Sequence, residues 1–361
     1  MSGIKTMKTN PKITIITVTY NAQEHLESTI KSIIEQDYPD VEFIIIDGGS
    51  TDGTLDIIKK YEKSIDFWVS EPDKGIYDAM NKGIEKANGE YLCFLGAGDT
   101  LRKKILKNIE PNLKFKSELL YGKVFKEKKG YDSTGEHDKY QICFGNICHQ
   151  AILYHRSVFD IIGKYSLEYP LCADYEFNIR CYADERIEKN YIDLTISNFM
   201  EGGVSDNNID MKFKEDREKL ILKYLGEKYF DLFKLYESYN LPNTPYSTND
   251  KFWIKEDLIT LVNSNSQKQI AIFGVGGFGK KIFKFIEENN KRFQKNISVK
   301  YFFDNDEKKW GTSVCDVKIV EPKSTNFDQV EKIIIASFPG RYEIKKQLLS
   351  DGVCSSKIIQ L

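Results

Sequence analysis

Three apolar runs, two of them largely β-branched and each ending in a short polar turn, constrain this chain more than anything else in it. Residues 12–20 (KITIITVTY) read as a buried strand, and 42–46 (EFIII) and 90–95 (EYLCFL) as further strands. Between them lie stretches with helical spacing. Leu26, Ile30, Ile33 and Ile34 share one face of 24–36, a second helix runs from about 54 to 61, and a third is expected over 76–87. A short strand over 65–70 completes the series. Strands alternating with helices in this rhythm predict parallel strands with crossover helices, an α/β fold.

In such a sheet ligands bind beyond the carboxyl ends of the strands. The first strand delivers Val18, Thr19, Tyr20 and Asn21 there, the second Asp47 in DGGSTDGT (47–54), and the fourth Asp99 in GAGD (96–99). Singly, Asp47 and Asp99 read equally well as turn or cap residues. Their joint placement at neighbouring strand ends points to a site.

TVTYN (17–21), IIIDGGSTDGT (44–54), SEPDKGIYDAMNKGIEKANGEYLCFLGAGD (70–99) and ADYEFNIR (173–180), in that order, resemble family 2 glycosyltransferases. The resemblance covers about residues 11 to 205. It implies a GT-A fold and an inverting transfer from a nucleotide-sugar donor, expected to be a UDP-sugar. It also implies roles. Tyr20, with the backbone near Val18, packs on the base, and Asp47 hydrogen-bonds it. The segment from Asp73 through Lys74, Gly75 and Asp78 to Asn81 lines nucleotide and sugar, with Ala79 and Gly83 matching the small-residue pattern. Asp99 is the one carboxylate left of a D-x-D-D metal motif, here Gly96-Ala97-Gly98-Asp99, with Mn²⁺ or Mg²⁺ as the implied cofactor. Asp174 matches the base, with Glu176 as its rival. From the residues alone Asp174 reads equally as a helix N-cap or as a base. His149, followed by Gln150, is expected near the acceptor or the metal, and equally reads as a structural histidine. Glu201, opening EGGVS, belongs to a segment expected to close over the donor.

Residues 102–116 are rich in lysine and expected to be helical, either a solvated face or a contact with an anionic lipid surface. Residues 119–126 and 139–155 read as strands, and 208–239 as helix. Two prolines among polar residues mark 240–250 as a linker. A second α/β unit then begins, expected to be a small Rossmann-like domain over 268–361. Gly274, Gly276 and Gly279 form G-x-G-x-x-G after a strand, and Asp304 ends the next strand. The expected divisions are thus 11–206, a helical connector over 207–267, and 268–361.

Composition excludes several other classes. Fifty-two Lys and Arg nearly cancel 54 Asp and Glu, so a net charge of −2 gives no basis for nucleic-acid binding. No apolar run approaches the length of a membrane span, and the first residues carry no apolar signal core. Seven cysteines without C-x-x-C fit reduced thiols. The expected protein is a cytoplasmic enzyme, with contact at the inner face of a membrane kept open. It would transfer a sugar to a glycan or lipid-linked acceptor in bacterial-type surface polysaccharide synthesis. The alternatives are a degenerate, non-catalytic binding module and a sugar-nucleotide oxidoreductase acting through residues 269–361.

Overall fold

The computed structural model describes residues 10–114, 116–133, 135–139, 141–200, 202–203, 208–238, 261, 266–337 and 340–360. The chain divides into two compact units, Met1–Phe233 and Lys234–Leu361.

The first unit is built on a nine-stranded mixed sheet. Strands β1 (Ile13–Thr19), β2 (Val41–Asp47), β3 (Phe67–Ser70) and β4 (Tyr91–Gly96) run parallel in the order β3-β2-β1-β4. Helices α1 (Leu26–Ile34), α2 (Thr54–Lys60) and α3 (Ile76–Lys86) connect them. Alternate residues of β1 and β2 feed two cores. Ile16, Val18, Ile44 and Ile46 pack with Met80 of α3, whereas Ile13, Ile15, Phe43 and Ile45 pack with Leu26, Ile30 and Ile33 of α1. Burial on both faces is why these strands read as continuous apolar runs.

The sheet changes character beyond β4. Strand β5 (Thr100–Leu101) follows at once, then β6 (Glu118–Lys126), β7 (Tyr131–Asp132), β8 (Ile152–His155) and β9 (Glu188–Phe199). The order continues β4-β8-β6-β9-β5, with β8 antiparallel to both β4 and β6, and β9 parallel to β6. The expected strand over 139–155 is realised only in β8. Gln141–Phe144 is instead a short helix and His149–Ala151 a 3-10 turn. Ile142 and Ile147 are buried in the same core as Phe177 and Cys181, so tertiary packing decides this segment's conformation. The lysine-rich stretch is helical only over Ile105–Ile109, with a 3-10 turn, Glu110–Asn112, carrying Pro111 after it. After the short helices α4 (Ile105–Ile109), α5 (Gln141–Phe144) and α6 (Ser157–Ile162), helix α7 (Ala173–Ala183) is buried along most of its length, and helix Met211–Leu220 follows with Phe213 against Tyr175.

The second unit carries a six-stranded sheet of its own. Its strands β10 (Lys268–Phe273), β11 (Ile297–Phe303), β13 (Val317–Val320), β14 (Lys332–Ile335) and β15 (Ile358–Gln360) are parallel, in the order β13-β11-β10-β14-β15. The two-residue β12 (Ser313–Val314) pairs antiparallel with β13 at the edge. The order reverses beside β10, where the glycine-rich turn lies.

No disulfide joins any of the seven cysteines. Among the described residues no helix is long and apolar enough to cross a membrane.

Candidate active site

The parallel strand ends of the first unit are tied into one crevice by their own polar residues. Asp47, fully buried, accepts hydrogen bonds from the backbone N–H groups of Gly49 and Ser50 at 3.1 and 2.9 Å. It also accepts from the hydroxyls of Ser50 and Ser70. Asn21 takes a left-handed φ of 46° and accepts from the Thr51 N–H at 2.9 Å, while its own N–H donates to Ser50 Oγ at 2.7 Å. Beside it Tyr20 is 64% exposed. Thr19 and Val18 are buried below it. A Cβ at Gly48 would lie 2.6 Å from Asp73 Oδ2 and 3.4 Å from Tyr20 Cδ2, so glycine lets the Tyr20 ring and the Asp73 carboxylate close on the main chain there.

Asp73 accepts from the Gly75 N–H at 2.8 Å and Asp78 from the Lys74 N–H at 3.0 Å. These bonds shape the turn that opens α3, with the Lys74 side chain exposed. Asn81 is turned to the main chain of Tyr165, donating to its carbonyl at 2.9 Å and accepting from its N–H at 3.0 Å. Ala79 is buried, and Gly83 packs so close to β1 that a Cβ would meet Ile16 Cγ2 at 2.4 Å. The small residues of this segment thus dock α3 on the sheet.

Asp99 sits at the end of the turn after β4 and is 6% exposed. Its Oδ1 accepts from the Met200 N–H and its Oδ2 from Gln150 Nε2, each at 2.9 Å. Burial pushes its carboxyl up to about 6 despite those donors and the pull of His149. Gly98, at φ +107°, holds a conformation that strains other L-residues. A Cβ there would also meet Met200 Cε at 2.4 Å. The backbone itself therefore disfavours a second carboxylate at position 98.

Asp174 is the second residue of α7, and the residue flanking the helix start is Cys172, so the N-cap alternative is not realised. Its carboxylate is 11% exposed and gathered by three elements. Oδ1 accepts from the Tyr77 hydroxyl of α3 at 2.7 Å and from the Tyr175 N–H at 2.9 Å. Oδ2 accepts from Asn146 Nδ2 at 2.8 Å and lies 3.4 Å from His149 Nδ1. Helix N-terminal position favours its negative charge. Glu176 is engaged elsewhere, in a two-pronged ion pair with Arg180 Nε and Nη2 at 2.8 and 2.9 Å.

The dipeptide His149-Gln150 links the two acids, histidine toward Asp174 and glutamine onto Asp99. Glu201 lies outside the described residues. Sequence reasoning missed Tyr77 and Asn146. Tyr77 stood unassigned inside a quoted motif, and Asn146 lay in a segment read as strand.

Among the described residues no group of three or more His, Cys, Asp or Glu is placed to hold a metal ion. Asp99 nevertheless fits a share in one. Each oxygen keeps a lone pair beyond its single hydrogen bond, and burial leaves its charge poorly compensated. That chemistry suits a divalent cation held mostly by diphosphate oxygens rather than by a protein cage.

In the second unit the three glycines serve different ends. A Cβ at Gly279 would lie 1.9 Å from the Gly274 carbonyl, and one at Gly274 would lie 2.9 Å from the Ala336 carbonyl, so both are packing positions. Gly276 faces open space. Asp304 accepts from the Val275 N–H at 3.4 Å and pairs through both oxygens with Lys309 Nζ at 3.1 Å.

Residues 14–167 match the family model described as glycosyl transferase family 2, and residues 266–359 match one described as C2185-like, N-terminal. A PGL/p-HBAD biosynthesis glycosyltransferase of Mycobacterium bovis is 36% identical over 216 residues, spanning 56% of this chain and 82% of that protein. A putative teichuronic acid biosynthesis glycosyltransferase, TuaG of Bacillus subtilis, is 40% identical over 104 residues, 28% of this chain and 41% of its own. Among solved structures, residues 1–349 of S. aureus TarS in complex with UDP-GlcNAc share the fold with a TM-score of 0.52 at 19% identity, over 63% of this chain and 73% of that one.

Proposed function

The chain belongs to glycosyl transferase family 2 and is a glycosyltransferase of GT-A fold, and from that premise we propose an inverting transfer carried out between Asp99 and Asp174. The observation that carries this reading is the pair of acids joined through His149-Gln150, with His149 Nδ1 3.4 Å from Asp174 Oδ2 and Gln150 Nε2 2.9 Å from Asp99 Oδ2.

The nucleotide base stacks on the exposed ring of Tyr20, against the main chain of Val18 and Thr19. Asp47 acts there through the turn whose N–H groups and hydroxyls it organises. Asp73, Lys74, Gly75 and Asp78 flank the sugar at the mouth of α3, and Asn81 fixes that helix from behind. Asp174 accepts the proton of the acceptor hydroxyl as its oxygen attacks the anomeric carbon. The new C–O bond forms as the bond to the diphosphate breaks, and the electron pair leaves with the phosphate oxygen. Asp99 would hold Mn²⁺ or Mg²⁺ together with the diphosphate, and such an ion stabilises the charge gathering on the leaving group.

The donor is a nucleotide sugar. TarS, crystallised with UDP-GlcNAc, makes UDP-sugars the first class to try. Relatives named for PGL/p-HBAD and teichuronic acid biosynthesis support a glycan or lipid-linked acceptor in bacterial surface glycan synthesis. A lipid-linked acceptor would fit an enzyme working in the cytoplasm, with contact at the inner face of the membrane kept open. The second unit is an accessory Rossmann-like domain.

The test is a thermal-shift panel of UDP-, GDP- and dTDP-sugars and NAD(P), each with Mn²⁺ and with chelator. A ligand at about a hundred times its Kd stabilises the native state by about 2.7 kcal/mol. For a unit of this size that raises Tm by about 5–10 °C. A Mn²⁺-dependent rise with one class of nucleotide sugar is the expected result. A rise with NAD(P) alone, or a rise unaffected by chelator, overturns the assignment of donor or metal respectively.

A further inference from the structure

The carboxylate of Asp174 is one end of a directed chain of side-chain hydrogen bonds that reaches deep into the core. The Tyr154 hydroxyl donates to Asn178 Oδ1 at 3.0 Å. Asn178 Nδ2 donates to Asn146 Oδ1 at 2.8 Å. Asn146 Nδ2 donates to Asp174 Oδ2 at 2.8 Å. Tyr154 and Asn178 are both fully buried, on β8 and α7. Every link runs donor to acceptor toward the acid.

The polarity matters because an asparagine side chain has two nearly isosteric ends. With its amide reversed, Asn146 would set a carbonyl oxygen against a carboxylate oxygen. The Asn178 amide prevents this by donating to the Asn146 carbonyl, and Tyr154 holds Asn178 in turn. Buried groups connected in this way are expensive to rearrange, so the chain specifies one orientation. A structural network would be equally content ending on a backbone carbonyl. This one ends on the acid that faces the acceptor.

We propose that Asn146 is a positioning residue for the transfer. Its amide, fixed in polarity by Asn178 and Tyr154, holds Asp174 Oδ2 and thereby presents the carboxylate to the acceptor hydroxyl in a single orientation. The proposal rests on the reading of Asp174 as base. Asn146 acts only through that carboxylate. The other groups facing Asp174 are the Tyr77 hydroxyl and the Tyr175 N–H at Oδ1, the His149 ring at Oδ2, and, further off, the Cys172 thiol just before α7 and the Tyr165 and Tyr154 phenols. None of them substitutes for a neutral donor at Oδ2 in the position of Asn146.

The test follows the Asp174 carboxyl resonance in full-length protein labelled with ¹³Cγ-aspartate, assigned by its loss in Asp174→Asn. Removing a hydrogen bond to the charged form raises the proton affinity of a carboxylate. Asn146→Ala is expected to raise the titration midpoint by about one unit, a tenfold gain in proton affinity. Asn178→Ala is expected to move it the same way by about half as much. Release of UDP from UDP-GlcNAc is expected to fall about tenfold in kcat for Asn146→Ala, with KM within about twofold. Asn146→Asp keeps the volume should the alanine variant fail to fold. It sets a second carboxylate against the first, so that the two titrate as a pair with one midpoint strongly raised. An Asp174 midpoint unmoved in all three variants overturns the proposal while leaving the base standing. Undiminished UDP release by Asp174→Asn overturns the base and the proposal with it.

Discussion

The two units solve the same topological problem and spend their acids differently. Each ends a central parallel strand in a glycine-rich turn and sets an aspartate close by, Asp99 after β4 in the first and Asp304 after β11 in the second. Asp99 is buried and, among the described residues, its carboxylate is met only by the Met200 N–H and the Gln150 amide. Asp174 is met by a tyrosine hydroxyl, an amide, a backbone N–H and an imidazole. No Lys or Arg pairs with either among the described residues. Asp304, by contrast, is neutralised by Lys309 at 3.1 Å to both oxygens. A strand-end acid is a natural product of this topology. It becomes a site when its charge is left for a ligand to compensate, and a loop-fixing device when a lysine of the same loop compensates it first.

The strongest way to break that comparison is to neutralise the acid assigned to the reaction. Asp174→Asn keeps the shape and the bonds that Oδ1 accepts from Tyr77 and the Tyr175 N–H, while removing the proton acceptor. Turnover is expected to fall by about 10³-fold, within the range for a lost general base, with Mn²⁺-dependent donor binding changed less than about twofold. Release of UDP and donor titration, measured on the same preparation, check this. Equal loss of both would make Asp174 a binding or folding residue, and the contrast with Asp304 would lose its catalytic half.

How much of this was readable beforehand depends on where each signal comes from. β1, β2 and β4 were legible because burial on both faces writes itself as unbroken apolar runs. β9 was not, although at twelve residues it is the longest strand. Its sequence, EKNYIDLTISNF, is half-exposed along most of its length, and its pairing with β6 slips register twice, so no clean alternation survives. Asp99, Asp174 and His149 were legible as motif positions. Tyr77 and Asn146 were not, since their importance comes from the meeting of α3, the loop before His149 and α7, which no local pattern encodes. The two readings of Asp174 could be separated only by seeing that its side chain turns to Tyr77 and Asn146 instead of capping α7. The G-x-G-x-x-G motif errs in the opposite direction. It is fully legible, yet Gly274 and Gly279 are accounted for by packing before any ligand is invoked.

A smaller effect is expected at Asp99, and it has a sign. Its carboxyl moves from 3.8 to about 6 on burial. The native state therefore holds this proton more tightly than the unfolded chain. The group favours folding below about pH 4, and that contribution is lost as pH rises through about 6. Two units correspond to about 3 kcal/mol, an upper figure. Asp99→Asn is thus expected to stabilise the metal-free protein by about 1–3 kcal/mol at pH 7.5, with the difference vanishing near pH 4. Urea unfolding at the two pH values measures it. The same variant is expected to lose the Mn²⁺-dependent part of donor binding. Stabilisation together with lost metal response would mark a charge kept at a structural cost for a ligand.

The comparison is sharpened last by the acid expected to do least. Asp304→Asn removes one charge from a pair in which Lys309 is 42% exposed and Asp304 only 13%. The asparagine oxygen can still accept from the Asp306 N–H, which meets Asp304 Oδ1 at 2.9 Å, and only the longer 3.4 Å bond from the Val275 N–H to Oδ2 is given up. Solvent around Lys309 screens the lost attraction, and pairs of this kind contribute about 0–1 kcal/mol. The variant is expected to unfold within about 1 kcal/mol of the unsubstituted protein. It is also expected to leave UDP release and its Mn²⁺ dependence unaltered, because the charge it deletes was already compensated within the loop. Should Asp304→Asn instead abolish a thermal shift with NAD(P), Lys309 would be a partner that yields to a ribose, and this acid too would be one held for a ligand.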